Sequence, residues 1–191
     1  MEPSDEALCQ RVAERDDVAF ELLVSRYQQR AWRLAWSILR DAEEARDVSQ
    51  DAFVRLYQRA GTFGGRARFS TWFYRLVVNL SLDHQRRRRW WRRLLQDGGT
   101  NGRDDDRPTL LDRLPAAVLD PVETVDRERR AQQLWAAVDR LAPRQRAAVI
   151  LHVQEGLPTH EVAAVLECSE ATVRVHLHRA LTTLRKTLGK D

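Results

Sequence analysis

Cysteine is scarce in this chain: Cys9 and Cys168 are its two thiols in 191 residues. They are far apart and in no ligand-like spacing, which points to neither a disulfide framework nor a cysteine-based zinc site. Long apolar runs are missing as well. Nothing approaches the roughly eighteen uninterrupted apolar residues of a membrane span, and Met1-Glu2-Pro3-Ser4-Asp5 lacks the basic-then-apolar order of a signal peptide. A cytoplasmic location is therefore expected. There is no strand-like alternation, no internal repeat, no phosphate-cradling glycine loop, no two-histidine zinc helix and no nucleophile elbow. What remains is a chain with 43% hydrophobic residues, enough to build cores for two small domains or one medium one.

Net charge is also low, at +4, but its distribution is uneven. Arg86, Arg87, Arg88, Arg89, Arg92 and Arg93 surround Trp90 and Trp91. Asp97 to Asp126 then holds eight acids against three arginines, a net of −5. A basic block precedes an acidic one.

Between Phe20 and Leu39 the apolar residues Phe20, Leu23, Tyr27, Ala31, Leu34 and Ile38 step by three or four, the stripe of an amphipathic helix. Asp41 stands three residues before Glu44 in the manner of a capping box, and Ala45, Val48, Ala52 and Leu56 continue a second stripe that ends near Gly61. Residues 61–69 carry three glycines and no helical period, so they predict a loop bearing aromatic and basic side chains. Ser70 or Thr71 is the expected cap of the next helix, which buries Phe73, Leu76, Val77 and Leu80 and runs on into the arginine cluster.

From Gln96 to about Val125 glycine, aspartate, proline and asparagine dominate, the composition of a flexible linker. Beyond it Leu134, Val138 and Leu141 mark a helix, Pro143 suits the first turn of the next and Gly156 its end. Two short helices follow, at about Thr159 to Leu166 and Ser169 to Leu188. The expected fold is therefore all-α: two small helical domains, residues 1–95 and 128–191, joined by an acidic flexible linker at 96–127.

The stretch from about Thr159 to Arg185 has the parts of a helix-turn-helix. Val162, Ala163 and Leu166 pack the first helix, Glu167-Cys168 form the turn, Ser169 caps the second, and Val173, Leu177, Ala180 and Leu184 anchor it. Ala171, Arg174, Val175, His176, His178 and Arg179 then face outward, and Thr172 sits where it can hold phosphate. Arginine there can fork onto guanine in a major groove. The competing reading is a solvated surface on a helical bundle; it is the weaker one, because cap, turn, anchors and basic face coincide in one short window. A zinc reading of His160, Cys168, His176 and His178 is weaker still, since His176 and His178 point to different helix faces. No metal and no cofactor are expected.

The N-terminal half carries a second nucleic-acid signature, one suited to separated strands. Opposite the core face of the helix after Ser70 lie Trp72, Arg75, Asn79, Asp83 and Arg86, and the preceding loop offers Phe63, Arg66, Arg68 and Phe69. Aromatic faces stack on unpaired bases, arginines track phosphates, and an amide can bond a flipped base edge. For Trp72 and Phe69, closing the domain core is an equally good reading. On the preceding helix Glu43, Asp47 and Asp51 stand four apart and repel one another, which a basic partner would relieve; Arg46 and Arg55 could do so in part.

The segments Asp47-Val-Ser-Gln-Asp-Ala-Phe53, Phe69-Ser-Thr-Trp-Phe-Tyr-Arg-Leu-Val-Val-Asn79 and Leu141-Ala-Pro-Arg-Gln-Arg146, followed by the helix-turn-helix, resemble the extracytoplasmic-function sigma factors of bacterial RNA polymerase. The resemblance covers about Phe20 to Arg93 and Glu128 to Leu188. It implies a non-enzymatic subunit that directs core polymerase to promoters and helps melt them. The helix around Glu43, Asp47, Gln50 and Asp51 would dock on the coiled-coil of the polymerase beta-prime subunit, and the beta subunit would be a further partner. Phe63, Arg66, Arg68, Phe69, Trp72, Arg75, Asn79 and Arg86 would capture the melted minus-ten element, with Asn79 contacting a base. Thr172, Arg174, Val175, His176, His178 and Arg179 would read the minus-thirty-five duplex. The acidic linker would thread the RNA exit path, and an anti-sigma factor would be a regulatory partner.

Four positions depart from the family pattern. Pro158 and Glu167 stand where serine and glycine are common, so Thr159 is expected to take over the cap and Glu167 to shift the reading helix slightly. Val175 and His176 replace residues that are commonly small-polar and basic. The rival functions are a stand-alone helix-turn-helix regulator that binds duplex operators and, from another class, a nucleic-acid-processing enzyme that clamps substrate with the Arg-Trp cluster. The second lacks a metal-binding carboxylate constellation.

Overall fold

A computed structural model describes residues 3–96, 136–138 and 140–188. The interior of the acidic linker and Leu134 of the expected helix lie outside the described residues. Among the described residues every regular element is helical, as composition and periodicity predict.

The first helix, α1 (Asp5–Ala13), has no apolar stripe long enough to show in the sequence. Its start is well defined all the same. Ser4 accepts from the Ala7 N–H at 3.2 Å, and Asp5 and Glu6 place negative charge in the first turn, where the helix dipole favours it. Leu8, Cys9 and Val12 are buried. Helix α2 (Asp17–Leu39) is capped by Asp16, which accepts from the Ala19 N–H and pairs with Arg11 at 2.7 Å. The Ala19 bond first, then Arg11, holds the Asp16 carboxyl below its ordinary range. The helix ends at Arg40, a non-glycine residue at φ 59 whose guanidinium lies 3.4 Å from the centroid of the Trp36 ring.

Asp41 caps α3 (Ala42–Arg59) by accepting from the Glu43 and Glu44 N–H groups. Only that half of the expected capping box forms. The Glu44 carboxylate turns outward to Arg88 at 2.8 Å and lies 3.7 Å from His84, tying α3 to the next helix. After a 3-10 turn at Ala60–Thr62 the loop leads into α4 (Phe69–Gln96). Neither Ser70 nor Thr71 caps α4. The helix begins one residue earlier, and the Phe69 N–H donates to the Glu6 carboxylate at 3.0 Å, so α1 supplies the acceptor.

An aromatic cluster fills the centre. Tyr27 meets Phe69 and Phe73 edge-on at 5.1 and 5.5 Å, and Phe53 lies 5.0 Å from Phe73. Such pairs add about 0.5–1.5 kcal/mol each beyond burial. Tyr27 also donates its hydroxyl to Asp5, and burial pushes its phenol pKa upward.

The C-terminal half comprises α5 (Pro143–Val149), which continues as a π turn at Ile150–Gln154, then α6 (Thr159–Leu166) and α7 (Glu170–Leu188). Pro143 opens α5 where its missing N–H costs nothing, and the Gln145 side chain accepts from the Ala142 N–H at 3.3 Å. Gly156 stops the segment at φ 69, a backbone geometry suited to glycine. Leu151, Leu157, Val162, Val165 and Leu166 belong to the same continuous core as Phe73 and Val77. The two helical halves therefore pack as one body through α4 and α6 and through α2 and α5. A smaller cluster of Val138, Leu141 and Ala180 closes the far side.

Candidate nucleic-acid interface

The angle between α6 and α7 depends on one residue. Glu167 sits at the turn with φ 52 and ψ 50, the left-handed conformation that costs an L-residue about 1–2 kcal/mol. The turn thus keeps the geometry that glycine favours and accommodates glutamate at the expense of strain. Ser169 then caps α7, as its position predicts: its hydroxyl accepts from the Thr172 N–H at 3.1 Å and contacts the Thr172 hydroxyl at 2.8 Å. Thr159 does not take over the cap of α6, whose cap residue is Pro158 without a side-chain bond. The Thr159 hydroxyl donates instead to Glu170 on α7 at 2.5 Å, bracing the two helices against each other.

Val173 and Ala180 fix the inner face of α7, while Arg174, Val175, His178 and Arg179 are exposed and Thr172 and His176 are half-buried. The guanidinium of Arg174 is held at 2.7 Å by Glu170. Glu170 stays below its usual carboxylate range because of the Thr159 hydroxyl first, and then Arg174. Partial burial and the neighbouring Arg144 and Arg179 hold the His176 imidazole below its ordinary value, which favours the neutral form at neutral pH. Val175 puts an isopropyl group on this surface, suited to a thymine methyl rather than to a phosphate.

On the N-terminal half the candidate residues divide. Arg66, Arg68, Arg75 and Arg86 are exposed; Phe63, Trp72 and Asn79 are half-buried. Trp72 packs on Phe63 at 5.6 Å and on Phe69 at 6.1 Å. Phe69 is a correction to the sequence reading. It is wholly buried between Tyr27 and Phe73, so it supports the loop from beneath and offers no face to a base. Arg86 is engaged by Asp83 at 2.6 Å. Trp90 and Trp91 are both exposed and meet edge to face at 4.8 Å.

Glu43, Asp47, Gln50 and Asp51 are exposed along one side of α3, and Val54 beside them is 52% exposed. Arg46 and Arg55 form no ion pair with them among the described residues, so their mutual repulsion stays uncompensated. Beneath α7 an apolar groove of about 400 Å³ runs between Val149, Val153, Leu177, Leu181 and Leu184. Sequence patterning missed it, because its walls come from three elements and the exposure of Val153 depends on the π turn. No cluster of metal-ligating side chains occurs among the described residues, so His160, Cys168, His176 and His178 do not converge. No described helix is long and apolar enough to cross a membrane.

The two halves meet across a cleft of about 770 Å³ lined by Asn79, Arg86 and Arg89 on α4 and by Arg144, His176 and Arg179 opposite. Positive charge from both halves converges there.

Comparison with known proteins finds a family match in each half of the chain. Residues 23–91 match the family described as Sigma-70 region 2, and residues 131–184 match Sigma-70, region 4. The chain is 30% identical to the RNA polymerase sigma-H factor of Pseudomonas aeruginosa over 184 residues, covering 96% of this chain and 93% of that one. It is 34% identical over 200 residues to the ECF RNA polymerase sigma factor SigE of Mycolicibacterium smegmatis, covering 100% of this chain and 71% of the relative. Among solved structures, CnrH in complex with the cytosolic domain of CnrY shares the fold at a TM-score of 0.67 and 23% identity, covering 99% of both chains. The sigma factor RpoE bound to the anti-sigma factor NepR, from Bartonella quintana, shares it at 0.67 and 21% identity, covering 90% of this chain and 98% of that one. With the acidic face of α3, the arginine-lined loop and the helix-turn-helix in one order along the chain, this protein belongs to the extracytoplasmic-function sigma factors of bacterial RNA polymerase.

Proposed function

We propose that this sigma factor works by three separate surfaces. The exposed acids Glu43, Asp47 and Asp51, with Gln50, dock α3 on a basic surface of the polymerase beta-prime coiled-coil. The loop side chains Phe63, Arg66 and Arg68, together with Trp72, Arg75, Asn79 and Arg86 on α4, capture the melted minus-ten strand. Thr172, Arg174, Val175, His176, His178 and Arg179 on α7 lie in the major groove of the minus-thirty-five element. The observation that carries this reading is that one chain holds two exposed surfaces of different chemistry. The first has rings, an amide and arginines suited to unpaired bases; the second is a capped helix with cations on its outer side. The apolar groove beneath α7 suits an amphipathic helix and is assigned to the beta subunit.

Catalysis belongs to the polymerase, and the protein acts in the cytoplasm where the polymerase is. The acidic linker takes the RNA exit path. An anti-sigma factor is the expected regulator, by analogy with the RpoE–NepR pair. Run-off transcription with core polymerase and genomic DNA tests the proposal. Start sites preceded by two aligned elements at constant spacing are the expected result. A symmetric operator bound tightly without polymerase would instead establish a stand-alone duplex-binding regulator.

A further inference from the structure

The cleft between the halves is unbalanced in charge. Four guanidiniums line it, Arg86 and Arg89 from α4, Arg144 from α5 and Arg179 from α7, and all are exposed. Two carboxylates, Asp83 and Glu167, stand against them. Asp83 is engaged by Arg86 at 2.6 Å, and Glu167 accepts from the Asn79 amide at 3.4 Å. Arg144 donates through Nη1 to the Leu166 carbonyl at 3.4 Å, while Arg89 and Arg179 form no ion pair among the described residues. Like charges gathered from three helices repel, and an anion among them relieves that repulsion. His176 shows how near they come. After burial, Arg144 and Arg179 are what hold its imidazole below the ordinary value, and its Nδ1 is shielded from solvent with no hydrogen-bond partner among the described residues.

At about 770 Å³ the cleft has the size of a small-molecule site, about 300–1,000 Å³. Duplex DNA, whose major groove alone is about 12 Å wide, lies across such a cleft and not within it. A nucleic-acid strand carries one charge per nucleotide, whereas an oligophosphate sets several side by side and so meets several guanidinium forks at once. On the same walls Leu82 and Pro143 give half-buried apolar surface beside the Gln85 amide, the combination that holds a base or ribose. We propose that this cleft binds a small oligophosphate, either a nucleoside triphosphate or an inorganic chain, through Arg86, Arg89, Arg144 and Arg179. The neutral His176 ring adds one N–H donor. Bound there, the ligand competes with promoter DNA for Arg86 and Arg179; that consequence, unlike the binding itself, rests on the assignment of those two residues to the promoter.

The test uses the full-length chain at about 0.15 M salt, where charge attraction is screened beyond about 8 Å. Isothermal titration calorimetry with sodium tripolyphosphate and, separately, with magnesium-free ATP is expected to show saturable binding of at least one of them. Arg89→Gln with Arg179→Gln is expected to weaken it at least about tenfold, with helicity unchanged by circular dichroism. Arg87→Gln with Lys186→Gln removes the same charge from exposed positions outside the cleft and is expected to change affinity less than about twofold. Tighter binding of ATP supports a nucleotide site with its base on Leu82 and Pro143; equal affinity supports a site for the phosphates alone. No saturable response to either probe, or equal losses in the two variants, overturns the site. A second measurement needs no variant. Amide NMR shifts induced by tripolyphosphate in the wild-type chain are expected to gather on residues 79–89, 142–145 and 176–179, and shifts spread over all exposed arginines overturn the site. Competition is read by anisotropy of a fluorescent promoter fragment, with sodium sulfate at matched ionic strength as the control. Displacement beyond that of sulfate supports it; none, with calorimetric binding intact, overturns the promoter assignment of Arg86 and Arg179 and leaves the site standing.

Discussion

The two halves of this sigma factor are both helical, but they are stabilised differently. The N-terminal half closes around large rings, Tyr27, Phe53, Phe69 and Phe73, held by four helices that pack on one another. The C-terminal half is built of valine, leucine and alanine on shorter helices, and its buried polar groups find partners across the chain, Glu155 in Tyr74, Glu161 in Thr71 and Arg146 in the Ile38 carbonyl. The N-terminal half packs its rings within itself, whereas the C-terminal half depends on its neighbour for part of its core and polar satisfaction.

The comparison is most severely tested at Phe73. Phe73→Ala removes a ring at the centre of the N-terminal half and is expected to cost about 3–5 kcal/mol in urea unfolding. Its loss should lower the stability of both halves together; separate transitions with α6 and α7 unaffected would break the idea of a dependent C-terminal half. Next in size is the charge reversal Asp47→Arg with Asp51→Arg. It is expected to weaken binding to core polymerase by about 2–3 kcal/mol while leaving thermal stability near that of the parent, since those side chains hold nothing in place. Titration of labelled protein into core polymerase checks it, and an unchanged affinity would return that face to ordinary solvent-exposed surface.

Arg174→Ala is expected to weaken promoter recognition by about 1–3 kcal/mol and to relax the minus-thirty-five preference without altering strand capture, as read by competition between promoter variants. Asn79→Ala should do the reverse, slowing opening while sparing closed-complex formation. Glu167→Gly relieves a left-handed backbone worth about 1–2 kcal/mol, offset in part by the lost bond to Asn79. A modest rise in melting temperature is therefore expected. The smallest effect concerns pH. The unfolded imidazole titrates near about 6.5, and that of His176 is held lower in the folded protein by burial, Arg144 and Arg179. The unfolded state takes its proton first, so stability falls as pH drops through the window between the two values. His176→Gln is expected to flatten that slope in urea titrations run across the window.

How much of this was legible beforehand follows from how local each signal is. The helix-turn-helix could be placed to within a residue because its cap at Ser169, its turn and its anchors lie in one window. The exposure of Asp47 and Asp51 follows from charge alone. Helix α1 was invisible because Leu8, Cys9 and Val12 form no extended stripe; it is held by its contacts with α2 and by Glu6 at the start of α4. Phe69 was ambiguous because a ring at a loop–helix junction serves a core or a base equally well, and only the packing of Tyr27 and Phe73 decides. Thr71 and Thr159 looked like caps because their hydroxyls suit that role locally. Partners ninety and eleven residues away, Glu161 and Glu170, claim them instead. The glutamates of the C-terminal half look like solvated charges in sequence, and the long-range contacts that bury Glu155 have no local signature.

Cys9 gives the molecule a chemical timer. Its thiol lies at zero exposure in α1, and burial, reinforced by Glu6, pushes its pKa up to about 11, so alkylating reagents and mild oxidants meet almost no thiolate while α1 stays docked. Cys168 is half-buried at the turn beside Glu167. Modification of Cys9 therefore begins only when α1 comes away from the core of the N-terminal half.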